Sequence, residues 1–600
     1  MYKKSVLDSK DENFGEVVRS MLFEPFHIDA QLELACVCWA DLVLTNGVVY
    51  TADEKETVCE AVAIKGNKIM FVGSDNEVQQ YIGKETHVID LLGKMVVPGM
   101  IDTHIHPPGL SLLTLYEVQL FNIHSIEGYV EAVKEFITQH PNAKAVYGRG
   151  WSWGILTGDE LTKGPRKEYL DAVAQDIPVV LRANDGHTLW VNSKALEING
   201  ITQETKVSKG GVIEKDEESG ELWGTLKEWA MWLVALPDYS LEQYITAMIV
   251  FQEKMHSFGI TGILCMASLP FEKIFKACDA MQHKDQLLLR VRGAMTINTK
   301  DDFVPQLAAI NAMRQQYNTP YLQVISAKFF TDGVIEGGTS YLLEPYGLKA
   351  GKGANYYGDF LWDMEKLKQA FCQVNQSGLS IHVHSTGDAS TRKVLDALEY
   401  AHVTAPKSNY RNVITHLQLV DDKDILRFKA LNVIASVQPY WQFKGPVWWD
   451  NVDYQFLGQR AEKEFPLGAF FANGITVASS SDYPATNVPN PLLAIDIGVT
   501  RNIDNGIFHG VEDITDMDDE RYLLNKQERA TVGQMIKSFT INGAYTMFME
   551  NEIGSIESGK IADIVVLDQN LLTINPIDID KVKVVMTFFA GKLVYEGIEY

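Results

Sequence analysis

Eight short apolar runs, most followed by a helix-like segment, constrain this chain more than any other feature. They span residues 95–106, 260–268, 287–297, 321–333, 378–388, 411–420, 432–439 and 475–484. Such runs, without strict alternation of apolar and polar residues, suit strands buried on both faces. Helix-like stretches such as STRKVLDALEYAH and MEKLKQAFCQVNQ lie between them. Repeated strand–helix units set parallel strands side by side, and eight of them close into a barrel. The competing open, doubly wound sheet is weakened because no G-x-G-x-x-G follows an early strand. The expected class is α/β, a (β/α)8 TIM barrel.

The strand ends carry the chemistry. Run 1 ends in His104-Ile-His106. Lys328 lies in run 4, His384 in run 5, His416 in run 6 and Asp482 in run 8. In a parallel barrel the C-terminal strand ends meet on one face, where active sites are built. Residues two apart on a strand point the same way, so His104 and His106 can hold one ion together. Imidazoles and a carboxylate are the donor set for a divalent metal, zinc foremost. A lone His-x-His is weak by itself, and the chain has a second, His382/His384. Candidates on five separate strand ends are a much stronger pattern. His382 reads as structural or as support for a ligand.

The two ends of the chain share another texture. ADLVLTNGVVYT, AVAIKGNKIMFVG and HVIDLLGKMVVPG near the start match GSIESGKIADIVVLD and KVKVVMTFFAGKLVYEG at the end. All are short strand-like runs punctuated by Gly, Asn or Asp. They are expected to complete one small composite β-sandwich, residues 41–95 with 553–600. The barrel then takes 96–106 and 251–552. More than 150 residues separate His106 from Ile260, far beyond one crossover. Residues 107–250 are therefore read as an insertion subdomain, with strands in AVYGRGWSW and PVVLRANDGHTLWVN. Residues 1–40 read only as an N-terminal extension.

Charge and cysteine content narrow the function classes. Among 600 residues, 78 Asp and Glu exceed 53 Lys and Arg, giving a net charge of −25. That surface disfavours nucleic acid and anionic membranes and favours a small-molecule substrate. No apolar run reaches the roughly 20 residues of a membrane span. The start, MYKKSVLDSKDENFGEVVRS, lacks the apolar core of a secretory signal. Six cysteines are too sparse for a disulfide framework, and Cys36-Val-Cys38 reads as strand. The cytoplasm is the expected compartment.

These motifs resemble a known family. V-V-P-G-M-I-D-T-H-I-H resembles the first-strand signature of the amidohydrolase superfamily, and G-S-I-E-S-G-K-I-A-D-I-V-V-L-D its C-terminal return. G-R-G-W (148–151), R-A-N-D-G-H-T-L-W-V-N-S (182–193), K-F-F-T-D-G (328–333), H-S-T-G-D (384–388) and S-S-D-Y-P (480–484) are similar to its amidohydrolase-3 branch. That branch includes N-substituted formamide deformylases, and the likeness covers residues 40 to 600. It implies one or two divalent metals per chain. His104 and His106 would bind the more buried one, and His384 and His416 the second. Lys328 would bridge them as a carbamate formed with carbon dioxide; the alternative is a buried Lys paired with an acid such as Asp332. Asp482 would touch metal and attacking water and act as the catalytic carboxylate. A homodimer also fits the resemblance.

The implied reaction is metal-dependent hydrolysis of a non-peptide C–N bond, such as an N-formyl or N-acyl amine, by metal-activated hydroxide. Asp482 would take the proton and pass it to the leaving nitrogen. Trp153, Arg182, Asp185 and His187 are candidate substrate contacts from the insertion. Asp388, like Asp332, is a candidate to support the ligands, orienting a histidine. PYWQFKGPVWW (439–449) is a candidate aromatic lid. The same site could instead open a lactone or ester or deaminate a ring. A non-catalytic ligand-binding homologue is the remaining alternative.

Overall fold

All eight apolar runs contribute parallel strands. In the computed structural model, which describes residues 39–597 apart from 122, 185, 208–210, 236–237, 269–271, 300, 406–408, 447–448 and 504–511, they form one sheet. Its strands are β1 (Met100–Ile105), β2 (Ile260–Ser268), β3 (Arg290–Thr296) and β4 (Leu322–Phe330). Then follow β5 (Ser380–Ser385), β6 (Val413–His416), β7 (Ile434–Val437) and β8 (Val477–Ser479). Neighbours in the chain are neighbours in the sheet, and every pair is parallel. The sheet closes on itself beyond β8. The Asp482 N–H donates to the His104 carbonyl at 2.8 Å, and the His106 N–H to the Tyr483 carbonyl at 2.9 Å.

Helices cover the strands for the expected reasons. Helix α1 (Met364–Gln376), between β4 and β5, begins where Asp363 caps the Lys366 N–H. It buries Leu367, Ala370, Phe371 and Val374, the three-and-four spacing of one helical face. Helix α2 (Asp388–Thr404) follows β5 directly, and α3 (Asp422–Ala430) follows β6. One apolar cluster joins Val291, Val324, Ile381 and Ile414 of the strands to Phe371, Leu395 and Phe428 of these helices.

The first run is divided between two sheets. Met95–Pro98 belongs to a separate sheet, and β1 starts only at Met100. Gly99 marks the crossing, where an added Cβ would lie 2.3 Å from Thr261 Oγ1. Met95–Pro98 pairs antiparallel with Ile564–Leu567 and parallel with Val48–Tyr50, so strands from both ends of the chain share one six-stranded sheet. A four-stranded sheet, Lys68–Gly73, Ala61–Lys65, Leu42–Thr45 and His87–Asp90, supplies Leu44, Val62 and Ile64 to a core shared with Val96, Ile564 and Phe588. A buried ion pair between Arg290 of β3 and Asp563 ties the six-stranded sheet to the barrel.

Between β1 and β2 lies another six-stranded sheet. Its order is Val212–Lys215, Leu222–Lys227, Thr188–Val191, Val179–Ala183, Val146–Trp151 and Val118–Gln119. Alternate residues face two apolar clusters: Leu181 and Trp190 join one, Val180, Leu189 and Val191 the other. Both faces of this sheet are therefore buried.

Candidate functional site

The strand register brings the candidate residues together. Lys328 pairs with His382 and Phe330 with His384 across β4 and β5, and Ser385 pairs with His416 across β5 and β6. His416 and Asp482 have φ of 77° and 55°, in the left-handed region. Non-glycine residues there carry strain of roughly 1–3 kcal/mol, which the closed barrel sustains at its rim.

His104, His106, Lys328, His384, His416 and Asp482 all line one cavity of about 470 Å³. Asp482 Oδ1 lies 3.2 Å from His106 Nε2 and 3.5 Å from His104 Nε2. Lys328 Nζ is 3.4 Å from His104 Nε2. The His416 ring centre is 4.5 Å from that of His384 and 5.2 Å from that of His104. Donor atoms of His104, His416 and Asp482 lie within 4.8 Å of one another. This set joins His104 and His416, which the family resemblance assigns to different ions.

Each buried imidazole has one nitrogen engaged by a protein group. His104 Nδ1 meets His382 Nε2 at 2.8 Å, His416 Nδ1 meets Gln438 Oε1 at 2.9 Å, and His384 Nε2 meets the Gly333 carbonyl at 2.9 Å. That leaves the opposite nitrogen of each ring for an ion, the arrangement that fixes tautomer and ring orientation in metal sites. Burial holds the imidazoles neutral: it pushes His384 down to about 3 and His104 and His416 well below the usual range. A metal needs the neutral ring. Burial also pushes the Lys328 ammonium down to about 7, and no carboxylate among the described residues pairs with it. The donor set, its orientation and its protonation all fit a divalent cation.

The supporting carboxylates do different work from that expected. Asp332 is buried, 3.9 Å from His384 Nε2, and accepts from the N–H groups of Tyr341, Thr386 and Gly387. It shapes the turn after β5 rather than pairing with Lys328. Gly387 permits that turn, since a Cβ there would sit 2.1 Å from the Tyr341 carbonyl oxygen. Asp388 corrects the expectation that it orients a histidine. It accepts from the N–H groups of Leu343 and Ala389, because it opens α2 and turns towards the 341–343 loop. The orienting groups are His382, Gln438 and the Gly333 carbonyl. Of these, only His382 was expected as a support; Gln438 and the Gly333 carbonyl were not, and neither was Asp102, which accepts from the N–H groups of His104 and Ser481 and joins β1 to the end of β8.

Of the expected substrate contacts, Asp185 lies outside the described residues. Trp153, Arg182 and His187 sit with the insertion sheet and are not part of the cavity wall. His187 is exposed and lies 3.2 Å from Glu228. The aromatic segment after β7 does reach the cavity, as wall rather than as an exposed flap. Trp441 stacks over His416 with centroids 5.9 Å apart, and Trp449 is buried. Residues 447–448 of that segment are not described.

The chain is similar to known proteins over most of its length. The chain is 27% identical over 572 residues to the protein LONG AFTER FAR-RED 3 of Arabidopsis thaliana, covering 93% of this chain and 92% of that one. It is 25% identical over 571 residues to the N-substituted formamide deformylase of Arthrobacter pascens, covering 93% and 98%. An uncharacterized metal-dependent hydrolase from Pyrococcus furiosus has the same fold, with a TM-score of 0.68, 23% identity, and coverage of 89% and 100%. The sequence pattern of the amidohydrolase family matches residues 87–595, and the chain belongs to that family.

Proposed function

We propose that this protein is a metal-dependent hydrolase that cleaves the C–N bond of a non-peptide amide, an N-formyl or N-acyl amine. One observation carries the proposal. Six donor residues from five strand ends line one cavity, and its three buried ligand imidazoles are each oriented by a protein group. The likeness to an N-substituted formamide deformylase supports the choice of bond.

His104, His106, His384, His416 and Asp482 would hold the ion, and zinc suits this donor set. When bound, such an ion polarises a carbonyl oxygen and lowers the pKa of water towards about 7. Lys328 is poised to add carbon dioxide: its neutral amine attacks the carbon, loses a proton and becomes an anionic carbamate. That group would let a second ion bind beside the first. Asp482, at the cavity wall next to His104 and His106, takes a proton from the attacking water and returns it to the leaving nitrogen. The products are an acid and an amine. Trp441 and Trp449 give the cavity apolar walls for the organic part. With them on the wall, the substrate contacts fall to this segment before the insertion's Trp153, Arg182 or His187.

The same reading divides the chain into barrel, composite sandwich (41–95 with 553–600) and insertion (107–250). Among the described residues no helix is long and apolar enough to cross a membrane. Cys59, Cys265, Cys278 and Cys372 are free thiols, which fits the reducing cytoplasm we propose.

The test is a panel of formamides, N-acyl amines, lactones and esters, assayed with zinc-reconstituted wild type and His104→Ala. Hydrolysis of an amide by wild type alone supports the proposal. Turnover confined to lactones or esters moves the function to another bond. Unchanged amide hydrolysis in His104→Ala removes the site assignment.

A further inference from the structure

The cavity holds a feature that the hydrolytic residues do not use: carboxylates set into its aromatic wall. Glu464 is fully buried and forms part of that wall. Its Oε1 accepts from Gln418 Nε2 at 2.9 Å, while its Oε2 has no hydrogen-bond partner. Asp453 lines the same cavity at 6% exposure, and its Oδ1 is also without a partner. Glu336 joins them, exposed within the cavity.

The cations nearby leave these oxygens unpaired. Arg501 is buried but gives its N–H groups elsewhere, to Gln442 Oε1 at 2.7 Å and to the carbonyls of Glu464 and Leu524 at 3.0 Å. Lys444 lies over the Trp449 ring with its ammonium 2.8 Å from Glu462. A buried carboxylate oxygen without a donor is costly, and proteins keep one where a further group completes it. Burial and the neighbouring carboxylate push both Asp453 and Glu464 upward. A donor-bearing cation among them would reverse that push. Trp441, Trp449 and Phe465 supply aromatic surface on the same wall, which favours a cation further.

We propose that Glu464, Asp453 and Glu336 bind a protonated amine or guanidinium on the substrate, so that the amide cleaved belongs to a molecule with a cationic second end. The unpartnered oxygens call for N–H donors, which excludes quaternary ammonium groups. N-acylated diamines are the simplest class that fits. The inference rests on the hydrolase reading above and refines its substrate.

The experiment compares N-formyl diamines of three to six methylenes with N-formyl alkylamines of matching length, using zinc-loaded enzyme. Calorimetry with the free diamines and the matching alkyl alcohols gives a binding readout independent of turnover. We expect kcat/KM at least tenfold higher for one or more cationic substrates, and diamines bound at least tenfold more tightly than alcohols. In Glu464→Gln and Asp453→Asn the ratio between the two series should fall towards one. Equal use of both series by wild type overturns the inference and leaves the hydrolase reading standing. Preferential diamine binding with no turnover of either series supports the inference and counts against formamide hydrolysis. A ratio unchanged in both folded variants also overturns it. If the variants do not fold, the wild-type binding ratio alone decides.

Discussion

His104 Nδ1 lies 2.8 Å from His382 Nε2, and both rings are fully buried. With His104 Nε2 turned towards Lys328 and Asp482, the His104 proton belongs on Nδ1, donated to His382. His382 then carries its own proton on Nδ1, which has no partner. His382 is thus a positioning residue for His104. Replacing it by Phe should weaken zinc affinity by about 10- to 100-fold, the usual effect of losing such a support. His382→Gln should recover part of that loss. Competition with a chelator measures it; affinity equal to wild type in the Phe variant would sink the assignment.

Lys328 tests the number of ions. As the proposed carbamate it would supply an anion for a second ion, and Lys328→Ala would remove it. Metal per chain, measured by inductively coupled plasma mass spectrometry, should fall from about two to one or none. Added short carboxylic acids should restore part of the activity by standing in for the carbamate. One ion in both proteins would make Lys328 a structural amine.

Asp482→Asn should lower kcat by roughly 10²- to 10⁴-fold, the range for losing a general acid–base group. Its φ of 55° is one that Asn tolerates, so the fold should survive. A melting temperature close to wild type together with the lost activity is the expected pair. Retained activity would free Asp482 from proton transfer.

The Arg290–Asp563 pair is 2% exposed on both sides. Asp563→Ala leaves the guanidinium buried without its partner, a loss of about 3–5 kcal/mol. Thermal melts should show a clearly lower midpoint. Arg290→Met combined with Asp563→Leu should recover part of it, because it removes the charge as well. A double variant no better than the single one would show that the pair's hydrogen bonds, not its charges, matter.

The buried imidazoles make the chelated protein acid-sensitive. His104, His382, His384 and His416 are all pushed below the usual value of 6.5 by burial. Below about 6.5 the unfolded chain binds protons that the folded chain refuses, so stability falls as pH falls. His382→Leu removes one such group. Its stability should fall less steeply between pH 6 and 5, by about 1.4 kcal/mol per pH unit. Urea titrations at several pH values read the slope directly, and identical slopes would mean that His382 is protonated in the folded state.

The strand-end candidates were readable because of a local rule. Apolar runs and the two-residue repeat of a strand place His104, Lys328, His384 and His416 without knowledge of any distant contact. The supporting groups were readable only in part. The second His-x-His marked His382 as structural or as support, but not which ring it holds, since the His104–His382 contact spans 278 positions; Gln438 is an ordinary residue until the barrel closes. Asp388 misled because its place after the H-S-T-G motif suggests a histidine partner, whereas the helix it starts turns it towards Leu343.

By itself the sequence determined the strand count, their parallel order and the residue types at the strand ends, since these depend on short-range periodicity. Tertiary structure alone decided which nitrogen of each imidazole is engaged by a protein group, where the first run breaks at Gly99, and that Asp453 and Glu464 line the same cavity as the histidines. Those outcomes depend on closure of the barrel, which brings together groups hundreds of residues apart and removes water from between them.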